Sequence, residues 1–410
     1  MTRKIFGFIG KNRTVITYVA LAAIMIIGLY CRVLFALNIE YSNWHMGTQY
    51  THDEYNYLNM VRDILDGKGY GYWEGRDAYV TPGYPLFMAL IMSLSGTGAS
   101  GVLAVKLVQA VLSAASSGLV FLLCLKLLKN RGAGVVAAAL ISFYPPLILY
   151  SRYLLTETIY IFFIVLYFII QVHALERKSR IFHAIAGALF AVTVLIRPMI
   201  FVLLPLPYVY TFILSKDGGE RRMIIINFVY FISAFVLVML PWWVRNMLTL
   251  NRFIPLSTQG NPFYAGVIRD YSTLPQSGSE VADGFRLLLS ELRHRPFETL
   301  EWFTIGKLEV LFLNPDYILP AGYSYFKGIV GPMHMYIVAL GSLGLAGGLI
   351  AGKLRMISIY VLLYIMLSLL FIPTGRFGLQ YMPFLAIFTA YLLFKFFSIS
   401  KGKPESCDMI

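Results

Sequence analysis

Residues 52–85 read HDEYNYLNMVRDILDGKGYGYWEGRDAYVTPGYP, the one stretch of the chain where acids, bases and aromatics crowd together. What surrounds it decides the fold. On both sides, and again along the rest of the chain, lie apolar runs of 17 to 25 residues, the length that crosses roughly 30 Å of hydrocarbon. Apolar residues make up 58% of the 410 positions and charged residues 13%, about half the charge of a water-soluble domain. The chain therefore reads as an all-α polytopic membrane protein. A membrane β-barrel would need short alternating segments instead.

Inside the polar stretch, Tyr57, Leu58, Val61, Ile64 and Leu65 recur at helical spacing. Residues 54–66 are thus expected to form a helix whose apolar face lies on the membrane surface. Gly67, Gly69 and Gly71 break it, and 84–95 is too short to span and reads as a half-buried interfacial helix. Working outward, about ten spans are expected, at 14–37, 101–128, 134–150, 154–174, 181–196, 199–215, 223–244, 328–351, 356–373 and 379–399. Clusters of Lys and Arg at 126–131, 177–180, 216–222, 353–355 and 401–403 fall on one side, while the short turns opposite hold single arginines, Arg152, Arg197 and Arg376. The positive-inside bias then puts both termini in the cytoplasm and the long loops, about 38–100 and 246–327, outside. Within the second loop, 281–313 is amphipathic and is expected to lie on the surface rather than across the membrane. No linker or repeat divides the chain, so 1–410 is expected to be a single transmembrane domain.

A net charge of +13 would suggest nucleic acid in a soluble protein. Here the basic residues sit between spans, where topology and anionic membrane lipids account for them. Cys31 and Cys124 lie in apolar spans and Cys407 in the tail, with no Cys/His spacing that would support a disulfide framework or a zinc site. The basic N-terminus leads into a long apolar run ending LNIEYSNWHMG, without a small-residue cleavage site, so the first span is expected to be retained.

The polar residues that topology leaves over fall on the outer side. They are His52, Asp53 and Glu54 in the first loop, Arg152 and Glu157 around SRYLLTET, Arg197, Arg245 and Arg376. Lys106 and Gln109, three apart on the second span, share a helix face near its outer end. Singly, each has a structural reading. Asp53 and Glu54 suit an acidic helix start, Arg197 an interfacial anchor, Lys106 a snorkelling side chain, and Glu157 a helix cap or a partner for Arg152. His52 and Asp53 are adjacent, so they do not face each other on a helix. The tyrosines of 70–84, Tyr84 among them, read as an interfacial belt or as a platform for a sugar. As a set the residues say more. Arginines at membrane depth suit a phosphate whose lipid tail stays in the bilayer. A carboxylate beside them suits deprotonation of an acceptor hydroxyl. Together they describe transfer of a sugar from a polyprenyl phosphate, whose leaving group needs only stabilised charge.

The motifs also resemble a known family. Asp53-Glu54 after the first span, TPGYP at 81–85, RYLLTET at 152–158, IRP at 196–198, PWWVRN at 241–246 and GRFGLQYMPFLA at 375–386 occur in the order found in GT-C glycosyltransferases. The nearest branch resembles the bacterial relatives of protein O-mannosyltransferase and the lipid A aminoarabinose transferase. The resemblance implies that Asp53 is the catalytic acid residue of the first outer loop, with Glu54 beside it, and that Glu157 is the second acidic position. It implies Arg376, Arg245, Arg197, Arg152 and Lys106 as ligands of the donor phosphate. His52, Tyr84 and Gln109 are candidates for sugar or acceptor contacts. It implies a polyprenyl-phosphate-linked sugar as donor, inversion at the anomeric carbon, and an acceptor hydroxyl on protein, lipid or cell-wall polymer. Where relatives carry a soluble outer domain, the two outer loops or a partner are expected to recognise the acceptor here. Lys106 stands where relatives often have Arg. Mg²⁺ or Mn²⁺ is used by some of the fold, but adjacent Asp53 and Glu54 offer no DxD spacing, so metal-independent chemistry is favoured. The competing readings are a flippase for a lipid-linked sugar, which would show polar sites reachable from both leaflets, and a non-catalytic assembly subunit.

Overall fold

A backbone in hydrocarbon must satisfy its own hydrogen bonds, which leaves helices as the economical solution for this composition. The computed structural model describes residues 13–37, 52–72, 77–259, 261–269, 281–313 and 324–400, and among these there are helices and turns but no strand. Among the described residues, six helices are long and apolar enough to cross a membrane: Thr14–Leu37, Ala99–Leu128, Glu157–Arg177, Gly218–Leu250, Gly328–Ile350 and Gly375–Phe397. They correspond to six of the ten expected spans.

The other four stretches are occupied by shorter helices, and prolines explain two of them. The run 134–150 is split into Arg131–Ser142 and Pro145–Tyr150, because Pro145 and Pro146 cannot continue the hydrogen-bond ladder. At 1.5 Å per residue the first piece reaches only about 18 Å. The run 199–215 is likewise a 3₁₀ turn, Pro198–Leu203, followed by Leu206–Leu214 beyond Pro205. Arg180–Ile196 and Gly352–Ser368 have 17 residues each. Local chemistry fixes several ends. Asn130 and Asp217 cap the helices that follow them, accepting from the backbone N–H of Ala133 and Glu220.

The polar stretch folds as expected into a helix, His52–Leu65. It stops at Gly67 and Gly69, whose φ angles of 72° and 110° suit residues without a Cβ. Its apolar face does not lie on lipid, however. Leu58 and Val61 are buried in the main core with Tyr84 and Met88 of the Gly83–Ser95 helix. Nor does all of 281–313 stay on the surface. Val281–His294 is amphipathic and largely exposed, but Trp302, Lys307, Leu311 and Phe312 are buried. The chain turns inward there through a π-helical turn, Trp302–Gly306, into the helix Lys307–Phe312.

One buried cation ties the first span to its neighbours. Arg32 has no exposed surface. Its guanidinium donates to Ser113 Oγ (2.7 Å), to the carbonyls of Gly28 and Ser142 (2.9 Å each) and to that of Ile141 (3.4 Å). Ile141 and Ser142 end the interrupted helix, where carbonyls lack intrahelical partners. The arginine supplies them at a depth where water does not.

Candidate active site

Several helix ends converge on one cavity of about 670 Å³. Its walls come from the start of His52–Leu65, the start of Glu157–Arg177, the end of Arg180–Ile196, the end of Gly352–Ser368 and the turn at 374–380. Segments 79–81, 256–265 and Leu311 complete it. Four of the expected site residues, Asp53, Glu157, Arg197 and Arg376, line it together although they lie up to 323 positions apart.

These four form a continuous ionic chain. Arg376 Nη2 donates to Asp53 Oδ2 at 2.7 Å, and Arg376 Nε lies 3.9 Å from Glu157 Oε1. The same Glu157 oxygen is 2.6 Å from Arg197 Nη2. Arg197 spends its remaining donors on Thr156 Oγ1 (3.0 Å) and Gln380 Oε1 (3.1 Å). Gln380 Oε1 also accepts from Tyr364 OH at 2.9 Å, and that hydroxyl meets Tyr160 OH at 2.6 Å. Arg197 thus engages each of its three nitrogens once and fixes Glu157. Arg376 is the more open of the two, about a quarter exposed to the cavity side. Two polar atoms in this wall, Glu157 Oε2 and Thr374 Oγ1, are buried without a hydrogen-bond partner. Buried polar atoms are normally satisfied, and these two are exceptions beside the cavity.

Tyr72 donates to the other oxygen of Asp53 (3.1 Å), and Tyr57 packs edge-on against it. Burial, reinforced by the Asp53 carboxylate, pushes the ionisation of both phenols up, so both stay protonated. With Tyr79 and Tyr264 they make one side of the cavity aromatic, the surface a sugar ring stacks on.

The remaining expected residues do not line the cavity, and each has a local reason. Glu54 follows Asp53 on one helix, so their side chains diverge by about 100°. Glu54 turns into the core and accepts from the backbone N–H of Leu154 at 2.9 Å. Tyr84 and Gln109 are both buried and bonded to each other at 2.8 Å, with the Gln109 amide donating to the carbonyls of Ser151 and Tyr153. Arg152 is buried over the ring of Tyr153. Lys106 is half-buried on the Ala99–Leu128 helix. Arg245 donates to the carbonyls of Asp77 (2.6 Å) and Tyr70 (3.0 Å), between the rings of Tyr70 and Trp242. It clamps the loop that carries Tyr70 and Asp77 to the Gly218–Leu250 helix. The side chain of His52 lies outside the described residues. Thr156, Tyr364 and Gln380 carry no signal in the sequence, although two of them sit inside the motifs quoted above, and neither does Lys307, with Glu309 two positions on; Arg32 is a lone charge in an apolar run.

Asp53 and Glu157 each already face a guanidinium, and among the described residues no three His, Cys, Asp or Glu side chains group to hold an ion.

Comparison with known proteins agrees with this architecture. Residues 79–244 match the family described as dolichyl-phosphate-mannose-protein mannosyltransferase. The archaeal oligosaccharyltransferase AglB from Archaeoglobus fulgidus, solved with an inhibitory peptide and a dolichol-phosphate, is similar over 95% of this chain and 52% of its own, with a TM-score of 0.55 and 13% identity. The apo form of the Archaeoglobus fulgidus oligosaccharyltransferase gives 94% and 52%, with the same TM-score of 0.55 and 13% identity. ArnT from Cupriavidus metallidurans, bound to undecaprenyl phosphate, covers 93% of this chain and 79% of its own at a TM-score of 0.45 and 14% identity. The chain spans about half the length of the oligosaccharyltransferase. No curated protein sequence matches it. The chain has the GT-C glycosyltransferase fold.

Proposed function

We propose that this protein transfers a monosaccharide from a polyprenyl phosphate to an acceptor hydroxyl on the outer face of the membrane. Asp53 is the general base and Arg376 the principal ligand of the donor phosphate. The observation that carries this reading is the meeting of Asp53, Glu157, Arg197 and Arg376 in one aromatic-walled cavity of about 670 Å³. That volume suits a sugar and a phosphate, and the lipid tail stays in the surrounding hydrocarbon.

Each residue then has a task. Asp53 takes the proton of the acceptor hydroxyl, whose oxygen attacks the anomeric carbon from the face opposite the phosphate. The bond between that carbon and the phosphate oxygen breaks, and the configuration inverts. The polyprenyl phosphate leaves with its charge met by the Arg376 guanidinium, which shifts from Asp53 toward it. Glu157, fixed by Arg197, keeps Arg376 in place. The matching family's description names a dolichyl-phosphate sugar donor, and AglB has been seen with a dolichol-phosphate. Both support a lipid-phosphate donor here. The acceptor is a hydroxyl-bearing protein, lipid or cell-wall polymer, read by the loops that frame the cavity.

The test is an assay of purified protein in nanodiscs with a panel of polyprenyl-phosphate monosaccharides and candidate acceptors, read by release of polyprenyl phosphate. One donor is expected to react, and D53N to insert normally but lose most transfer. Full activity of well-inserted D53N would remove the mechanism. Labelling of a cysteine placed at the cavity mouth from the cytoplasmic side would remove the outer-face assignment.

A further inference from the structure

We propose that Lys307 is a positioning residue for Arg376: it holds the segment that delivers the Arg376 guanidinium to the cavity. What Arg376 binds rests on the function proposed above; how its segment is held does not.

Lys307 has no exposed surface. Its Nζ donates to the carbonyl of Leu369 at 2.6 Å and lies 3.6 Å from the centre of the Phe303 ring. Leu369 ends the Gly352–Ser368 helix; the carbonyls of Ile365 to Ser368 accept from the backbone N–H groups of Leu369, Leu370 and Phe371, and the Leu369 carbonyl, at the negative end of the helix dipole, is the one that takes Lys307. A cation set against such an end is the matching group. Seven residues beyond Leu369 comes Arg376. Lys307 therefore anchors the near end of the segment whose far end is the phosphate ligand.

The rest of that segment is held from the same side. The Ile372 N–H donates to the Pro262 carbonyl at 2.8 Å. A Cβ on Gly266 would lie 2.6 Å from the Phe371 carbonyl carbon, and one on Gly378 only 2.2 Å from the Leu311 oxygen. So the turn that carries Arg376 is pressed directly onto the Lys307–Phe312 helix, with no room for a side chain between them. Leu311, one turn on from Lys307, and Ser368, beside Leu369, both line the cavity. Lys307 stands just behind that wall.

Simple packing does not account for a lysine here. Among the described residues its ammonium meets a carbonyl and two aromatic rings, Phe303 and Trp302, and no carboxylate. A buried cation without a counter-ion is costly, and burial pushes its pKa down to about 7. A methionine would fill the same space without that cost but would leave the Leu369 carbonyl without this donor.

The test compares full-length wild type, K307M and K307Q in nanodiscs. Hydrogen exchange over residues 369–378, read by mass spectrometry, is expected to quicken about tenfold in K307M, as for one lost charge-assisted hydrogen bond, and less in K307Q. Exchange that is unchanged there, or that quickens evenly along the chain, overturns the proposal. The second readout is affinity for undecaprenyl phosphate in a double-mutant cycle with R376A. K307M is expected to weaken binding about tenfold when Arg376 is present and to add nothing when it is absent; equal losses in both backgrounds overturn it. If wild type does not bind undecaprenyl phosphate, the donor reading fails, and hydrogen exchange still decides the role of Lys307.

Discussion

Replacing Asp53 by Asn is expected to tighten the binding of a polyprenyl phosphate while it removes transfer. The reasoning starts from the 2.7 Å contact between Arg376 Nη2 and Asp53 Oδ2. A phosphate that docks on Arg376 must first draw the guanidinium away from that carboxylate, and must then sit beside the carboxylate's negative charge. Charge-assisted hydrogen bonds are worth about 1.5–3 kcal/mol when well buried. These two side chains keep 28% and 32% exposure, so solvent screening brings the figure down to about 1 kcal/mol. Asn at position 53 keeps the shape and a carbonyl acceptor but lifts most of that cost. The dissociation constant should therefore fall about fivefold. The assay is titration of undecaprenyl phosphate into D53N and wild type in nanodiscs, followed by thermophoresis, with release of the lipid phosphate from a sugar donor measured in parallel. A D53N protein that folds normally and binds the lipid phosphate no better than wild type would show that Arg376 is not the group the phosphate recruits.

Three further outcomes are expected. E157Q removes the charge that two guanidiniums share from a side chain only 2% exposed. It should cost about 3 kcal/mol of stability, seen as an earlier thermal unfolding in detergent, and an unshifted transition would mean the chain of ion pairs is incidental. R32M leaves the Ile141 and Ser142 carbonyls and the Ser113 hydroxyl without their donor, at roughly 1–3 kcal/mol for each group left unpaired; unfolding should come earlier while lipid-phosphate affinity is kept. Lys307 titrates at about 7 in the folded protein against its ordinary 10.5, so between those values the unfolded chain holds a proton that the folded one lacks. Stability should climb as pH rises from 7 toward 10 and be flat below 7 with respect to this group, and K307M should abolish the climb in thermal scans across that range.

Much of the site could be read from the chain because its residues end apolar runs. Glu157 opens one, Arg197 closes another, Arg376 precedes the last, and Asp53 stands at the start of the polar loop. Charges at such junctions have few neighbours in sequence that explain them. The residues that misled did so because adjacency is not proximity. Glu54 lies next to Asp53 yet points into the core, where it meets Leu154. Arg245 has the composition of a phosphate ligand, but its donors go to two loop carbonyls brought in from residues 70 and 77. Gln109 and Tyr84 satisfy each other across 25 positions. No local pattern distinguishes such partners from a ligand. The interrupted helices were visible as Pro145-Pro146 and Pro205, and reading through them lengthened two spans. Arg32 also left a signal, a lone cation in an otherwise apolar run, which at that depth demands acceptors.

The four-pronged grip of Arg32 bears on how the chain is assembled. An anchor segment usually leaves the insertion machinery as an independent unit, but this one carries a charge whose acceptors are synthesised some 80 to 110 residues later. Until Ser113 and the end of the Arg131–Ser142 helix have been made, its guanidinium has only the Gly28 carbonyl of its own helix. Insertion and folding of this region are thereby coupled: a segment made earlier is completed by one that arrives well after it. Swapping it for a generic hydrophobic anchor would preserve topology and still leave the nascent bundle without its first interlock.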